Sequence, residues 1–543
     1  MKSLKLPILF CLSLLSINNS SAQERINSQV TAALNLTDSM VLKANISYLA
    51  DDRLLGRAPG TAGYQMAVDY VTAELRKNGV KPAGEDGTWL QSMVFRKALI
   101  KPDYTASLQN DTSTLTLTSA KDIFLFPNPT QAQTKVNAKL VFAGYGITDP
   151  ALDYDDYTNI SVKGKIVLVV RGAPQRFPSS DASHSQNITT IERNALAHGA
   201  IGVIFWNPAA GTNLNATRTT NNVFDRKGKM LVSSTFYSDK LKIAGFLTKE
   251  ISTQILSQMG KDALQILANL KNGQPQSFPT NKTLAAAYQS TYKDFTTFNV
   301  VGKIEGSDPV LKQEYVVHSA HLDHVGIGPV IEGDSIYNGA HDNASGIASL
   351  LQITKIYQGL AVKPKRSILI LMVSGEEQGL LGSGYFALKP TLPIRKIVAD
   401  VNTDMPTIIA PLLSITALGA EHSSLTKQVD EAATFLGLTV EQDPEPAQNR
   451  FVRSDQYSFV RQGIPALHIK YGNKTTDGKN DLYLLVEKWR AKYYHKPQDD
   501  INGLFNFTAG CTYAKLNFLI GYLVANEVQK PAWNPGDTFG KIR

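Results

Sequence analysis

Two adjacent glutamates, Glu376 and Glu377, follow the apolar run SILILMV in the stretch VSGEEQG. Neighbouring carboxylates repel, and a chain that displays both at a strand end has separate work for them, such as holding a cation and moving a proton. Other polar residues stand just past apolar runs. His321 and Asp323 follow EYVVHSA; two apart, they share one face of an extended chain, whereas His318 points to the opposite face. A carboxylate beside an imidazole fixes its tautomer and raises its basicity. Asp342 lies in the turn YNGAHDNASG before a helical stretch, where it or Asn343 would also serve as a helix N-cap. Asp404 follows KIVADVN, and Tyr494 and His495 sit in KYYHKPQDD after a long polar loop, with Asp499 four residues beyond His495.

Singly, each of these is an ordinary cap or loop residue. Together, these acidic residues and the histidines His321 and His495 would repel severely if they converged without cations, so convergence demands metal. Mixed imidazole and carboxylate donors suit Zn²⁺, with Mn²⁺ or Co²⁺ as substitutes. Two such ions about 3.5–4 Å apart are usually held by a bridging carboxylate and polarise one water and one substrate oxygen.

The elements that must position these residues are legible as patterns. From about 295 onward, apolar strands (EYVVHSA, SILILMV, KIVADVN, IPALHIK) alternate with helical segments such as ASGIASLLQITKIYQ. That alternation predicts an α/β fold, a mixed or largely parallel central sheet with helices on both faces. Sites in such sheets gather at the carboxyl ends of strands. Earlier, Tyr64, Ala67, Val68, Val71 and Leu75 recur at helical spacing with Asn78-Gly79 as the stop. Between the two, short β-rich runs (AKLVFAGYG, GKIVLVV, AIGVIFW) enclose a helix at IERNALAHG and read as a compact insert. The expected division is a signal segment at 1–22, the first part of the main domain at 23–130, an insert at 131–280 and the second part of the main domain, with the site residues, at 281–543.

The order H-x-D, G-A-x-D-N-A-S-G, G-E-E-x-G, N-x-D-M and Y-H-x-x-x-D resembles the co-catalytic dinuclear zinc exopeptidases, which include secreted bacterial leucyl-type aminopeptidases and glutamate carboxypeptidases. The resemblance covers the first block and everything after about 285, and the insert is similar to the protease-associated domain that many members carry. It implies a zinc-peptidase fold with two Zn²⁺ per chain, His321 and Asp404 on one zinc, Glu377 and His495 on the other, and Asp342 as bridge. It further implies Glu376 as general base, Asp323 as the residue orienting His321, Tyr494 as a hydrogen-bond donor to the tetrahedral intermediate and Arg453 as a substrate contact. Two positions depart from the family pattern: His341 stands where an acidic residue is common, and Gln456 where an aromatic or His is common. Both bear on pocket shape and leave the ligands intact.

Composition excludes several other classes. The 543-residue chain has ordinary apolar and charged fractions for a globular protein. Lys2 and Lys5, an apolar run and small residues ending at Ala22 form a secretory signal, which implies export to the periplasm or the medium. The run is too short to span a bilayer, and no later stretch approaches about 18 uninterrupted apolar residues. Cys11 lies inside the signal, so Cys511 is left alone as a core residue and no disulfide forms within the mature chain. Processing lowers the formal charge from +8 to 8 − 2 = +6. Without a basic run this gives no nucleic-acid site. The expected partners are peptide substrates, with oligomeric state open. The expected function is N-terminal peptide-bond hydrolysis; a carboxypeptidase of acidic peptides, a one-zinc cyclising transferase and a non-catalytic binding protein on the same fold are the alternatives.

Overall fold

The structure, a computed structural model, describes residues 25–208 and 218–541. The signal segment read at 1–22 lies outside the described residues. Four parallel strands form the centre of the larger sheet: Tyr315–His321 lies between Ser367–Val373 and Ile397–Asn402, and the latter pairs with Ala466–Tyr471. Ser367–Val373 and Ile397–Asn402 are buried at every residue, which is why the sequence shows continuous apolar runs there. The registers His321↔Val373 and Ser319↔Asn402 bring the strand ends nearly level. The segments carrying Asp323, Glu376, Glu377 and Asp404 therefore leave the sheet along one edge.

Helices cover both faces, as the alternation requires. Ser39–Leu49, Ala62–Lys77, Ser345–Gly359 and Phe507–Asn526 pack one face around a core that includes Val71, Leu350 and Leu519. Leu381–Leu388 and Gln456–Val460 contribute Phe386 and Phe459 to the core on the other face. The helix Ala62–Lys77 buries Tyr64, Ala67, Val68, Val71 and Leu75, begins at Thr61, whose hydroxyl accepts from Tyr64 N, and ends at Asn78. Cys511 is buried in the last long helix.

The 28-residue strand Ser277–Ile304 belongs to two sheets. Its first half pairs with Thr105–Gln109 and Gln133–Ala143; its second half pairs with Leu90–Ile100 and Ser367–Val373. The smaller sheet also contains Ile166–Val170, Gly202–Trp206, Ile243–Leu247 and Ile123–Leu125, over a core with Phe142, Leu168 and Trp206. Strands at 105–125 thus pair in the smaller sheet although they precede the boundary at 131 expected from sequence. In return, the hairpin Thr219–Phe224 and Met230–Ser233 pairs onto Leu90–Ile100 of the larger sheet. One region differs from the sequence expectation. The polar loop before Tyr494 contains the helix Leu482–Tyr493, whose buried residues Leu482, Val486 and Trp489 recur every three or four positions among many charges.

Two loops that bear site residues are fixed from below by one side chain. Arg57 is 1% exposed; its Nε donates to Leu322 O (3.0 Å), Nη2 to Gly339 O (3.1 Å), and Nη1 to Asn338 O (2.6 Å) and to Leu49 O. Burial pushes the guanidinium down to about 10, which leaves it charged at neutral pH. Arg57→Ala strands these buried carbonyls, and urea denaturation is expected to show a loss of roughly 3–5 kcal/mol.

Candidate metal centre

Asp342 lies at the middle of the cluster. His321 Nε2 is 3.3 Å from both Asp342 Oδ1 and Asp404 Oδ1. On the other side, His495 Nε2 is 3.1 Å from both Asp342 Oδ2 and Glu377 Oε2. The two oxygens of Asp342 thus face different donor sets, the arrangement a bridging carboxylate needs. His321, Asp342 and Asp404 offer ligand atoms within 4.8 Å of one another, and so do His324, Asp342 and Glu377.

The loops reach this geometry through hydrogen bonds to their backbones. Asp499 accepts from the N–H groups of His341 (3.0 Å) and Asp342 (3.1 Å). Asn343 donates to Thr403 O and accepts from Met405 N and Gly346 N, tying the Asp342 loop to the Asp404 loop. A Cβ on Gly346 would lie 2.1 Å from Asn343 Oδ1, so this close approach requires glycine. Buried Lys470 donates to Asp404 O and Met405 O, with His468 Nε2 3.0 Å from the same Asp404 carbonyl. Of the two cap candidates, Asn343 accepts from Gly346 N in the first turn of the helix Ser345–Gly359, which leaves the Asp342 carboxylate free for the cluster.

The remaining expected residues fall into place around the cluster. Asp323 meets His321 Nδ1 through its backbone carbonyl at 3.2 Å; its carboxylate is 4.0 Å away and accepts instead from Glu376 N at 3.2 Å. Glu376 is half-buried, and burial together with neighbouring Asp404, Glu377 and Asp455 pushes its carboxyl well above the ordinary range. Tyr494 stacks on His495, under Arg490, and burial near several carboxylates keeps its phenol protonated. Arg453 is exposed and lines the cleft with Glu376 and Tyr494. Neither departure from the family pattern reaches the cluster: His341 stacks on Phe505 and contacts Leu504 O, while Gln456 bonds Asn402 and Phe451 O. His318 is turned away, bonded to Tyr357.

Sequence reasoning missed His324. It sits one residue past H-x-D, and its proximity to Glu377 depends on a turn that period-two strand geometry does not foresee.

The cluster fits a metal on its own chemistry. His324 Nδ1 and Nε2, Glu377 Oε1 and Asp323 Oδ2 are buried without hydrogen-bond partners, an arrangement proteins rarely tolerate unless something else satisfies the atoms. Residues 299–510 match peptidase family M28, and residues 136–241 match the PA domain. The chain carries, over residues 299–510, a domain similar to peptidase family M28. With these donors it is a zinc metallopeptidase with an inserted PA domain. No curated protein is a significant match. Among solved structures, the aminopeptidase of Aneurinibacillus sp. strain AM-1 is 19% identical, with a TM-score of 0.48 over 92% of this chain and 99% of that one. The zinc aminopeptidase BSAP of Bacillus subtilis is 19% identical at TM-score 0.42 (90% and 95% covered). The peptidase M28 precursor of Shewanella amazonensis SB2B is 17% identical at 0.42 (95% and 98%).

Asp499 acts on the cluster only through the backbone N–H groups of His341 and Asp342. Asp499→Ala is therefore expected to weaken zinc binding by roughly 10–100-fold, read by chelator competition, while the far-ultraviolet circular dichroism stays that of the wild type.

Proposed function

We propose that the chain is an exported aminopeptidase that binds two zinc ions and removes residues singly from peptide N-termini. The observation that carries the reading is the inequality of two hollows that meet at Glu376, Arg453 and Tyr494. One, of about 60 Å³, is lined by Met405 and Arg490 and is the smaller, of a size we assign to a single terminal residue; the other, of about 360 Å³, is lined by Ser233 and Ser234 of the insert. A substrate extending through both would be cut one residue from its end. Carboxylates of Glu376 and Asp404 line the small hollow and suit a free α-amine.

His321, Asp404 and Asp342 would hold one zinc, and Asp342, Glu377 and His495 the other. Zinc held there supplies Lewis acidity, acidifying water and polarising a peptide carbonyl. Glu376, open to the cleft and beside the liganding Glu377, takes a proton from the attacking water and delivers it to the leaving amine. The Tyr494 hydroxyl donates to the carbonyl oxygen as negative charge grows on it. The Asp323 carbonyl keeps the proton of His321 on Nδ1 and so leaves Nε2 free as a ligand.

A second reading has its own observation. Arg450, Arg453, Lys470 and Arg490 also line the small hollow, and such a wall would suit a carboxylate, either an acidic side chain or a free C-terminus. Arg450 is already paired with Asp443 and Glu445, which weakens this reading. A peptide panel with free and blocked termini separates the two. N-acetylation should abolish turnover and C-terminal amidation should leave it unchanged; the reverse pattern makes the enzyme a carboxypeptidase.

The paired glutamates provide a further test. Glu376→Gln is expected to retain zinc while kcat falls by roughly 10²–10⁴-fold. Glu377→Gln should lose zinc and regain part of its activity in excess Zn²⁺, which should not rescue Glu376→Gln. Equal metal loss in both variants would refute this division of roles.

A further inference from the structure

We propose that His324 is a fourth protein ligand of the second zinc, through Nδ1, and that it closes that site while the first stays open. The inference rests on the two-zinc reading above and extends its ligand set. His324 is 1% exposed, and neither ring nitrogen has a hydrogen-bond partner. A buried imidazole always carries at least one N–H or lone pair that must be satisfied, so this position is unfavourable for an idle side chain. Its Nδ1 lies 2.7 Å from Glu377 Oε1, so the imidazole and the carboxylate are already drawn to one point.

The ring is also held where a ligand would have to be. Arg57 O accepts the His324 N–H at 3.3 Å, and Arg57 anchors the facing carbonyls of Asn338 and Gly339. A Cβ on Gly339 would fall 2.5 Å from His324 Cγ and Cδ2, so the glycine makes room for the imidazole. On the other side its ring faces that of His495, with centroids 5.7 Å apart and planes at 72°. His324, Asp342 and Glu377 ligand atoms lie within 4.8 Å of each other, and His495 Nε2 contacts the last two carboxylates at 3.1 Å. Four protein donors, two imidazoles and two carboxylates, would then hold the second zinc, whereas His321, Asp404 and Asp342 offer three to the first. The first zinc then keeps the position for water and substrate, and the second is the more firmly held.

The test is stepwise metal removal from the full-length holoenzyme, followed by reloading with Co²⁺ and recording visible absorption and bound metal together. Wild type should bind two Co²⁺ and release them unequally. His324→Ala should weaken one site by more than the roughly 10–100-fold typical of residues that only orient a ligand, leaving the other at wild-type affinity. The absorption of the weakened site should shift. His324→Asn, which puts an amide atom near the place of Nδ1, should retain part of the affinity, and its apo form serves as the folding control by thermal melting. Two unaltered Co²⁺ sites in both folded variants would overturn the proposal and leave the two-zinc reading intact. A wild-type protein that takes up fewer than two Co²⁺ would overturn both.

Discussion

Charge buried at one point governs this molecule. Asp342, Asp404, Glu377 and the half-buried Glu376 crowd the ends of three strands, joined by His321, His324 and His495. Removing one carboxylate from water costs several kcal/mol, and gathering several multiplies that cost unless cations enter with them. The protein compensates partly by imidazole–carboxylate contacts, while burial and neighbouring carboxylates push Glu376 upward in pKa. Zinc resolves the same conflict more completely, so metal affinity and folding are coupled here.

Most of the surrounding structure serves to keep that cluster from relaxing. Arg57 satisfies carbonyls beneath the Leu322 and Gly339 loops, Asp499 holds the Asp342 backbone, Asn343 ties it to the Asp404 loop, and Lys470 grips the Asp404 carbonyl. None of these side chains needs to touch substrate. Each converts a flexible loop into a fixed donor by using main-chain groups that would otherwise be stranded at a sheet edge.

The insert is tied to the peptidase part by covalent strand continuity and not by surface contact alone. The strand Ser277–Ile304 runs through both sheets, and the hairpin ending at Ser233 crosses back to the larger one. Within the insert, His184 Nδ1 lies 2.5 Å from the Tyr457 hydroxyl, on the helix just after Arg453. Ser233 and Ser234 therefore stand in the wall of the larger hollow as part of a stiff assembly.

The sequence by itself determined the sheet and most of the residues that gather at its edge, His324 excepted. Unbroken apolar runs such as SILILMV are the imprint of strands buried on both faces, and the polar residues directly after them had to emerge at one edge. The helix at Leu482–Tyr493 was missed because its three buried residues are diluted by Glu487, Lys488, Arg490 and Lys492. Tertiary structure alone decided that Asp323 supports His321 through its carbonyl, that His341 leaves the site for Phe505, and that His324 turns in toward Glu377. These outcomes depend on backbone turns past the strand ends, where alternation stops and side-chain direction is set by distant partners such as Arg57 and Gly339. A one-dimensional pattern records which residues leave a sheet together; only the folded loops fix which of their atoms meet.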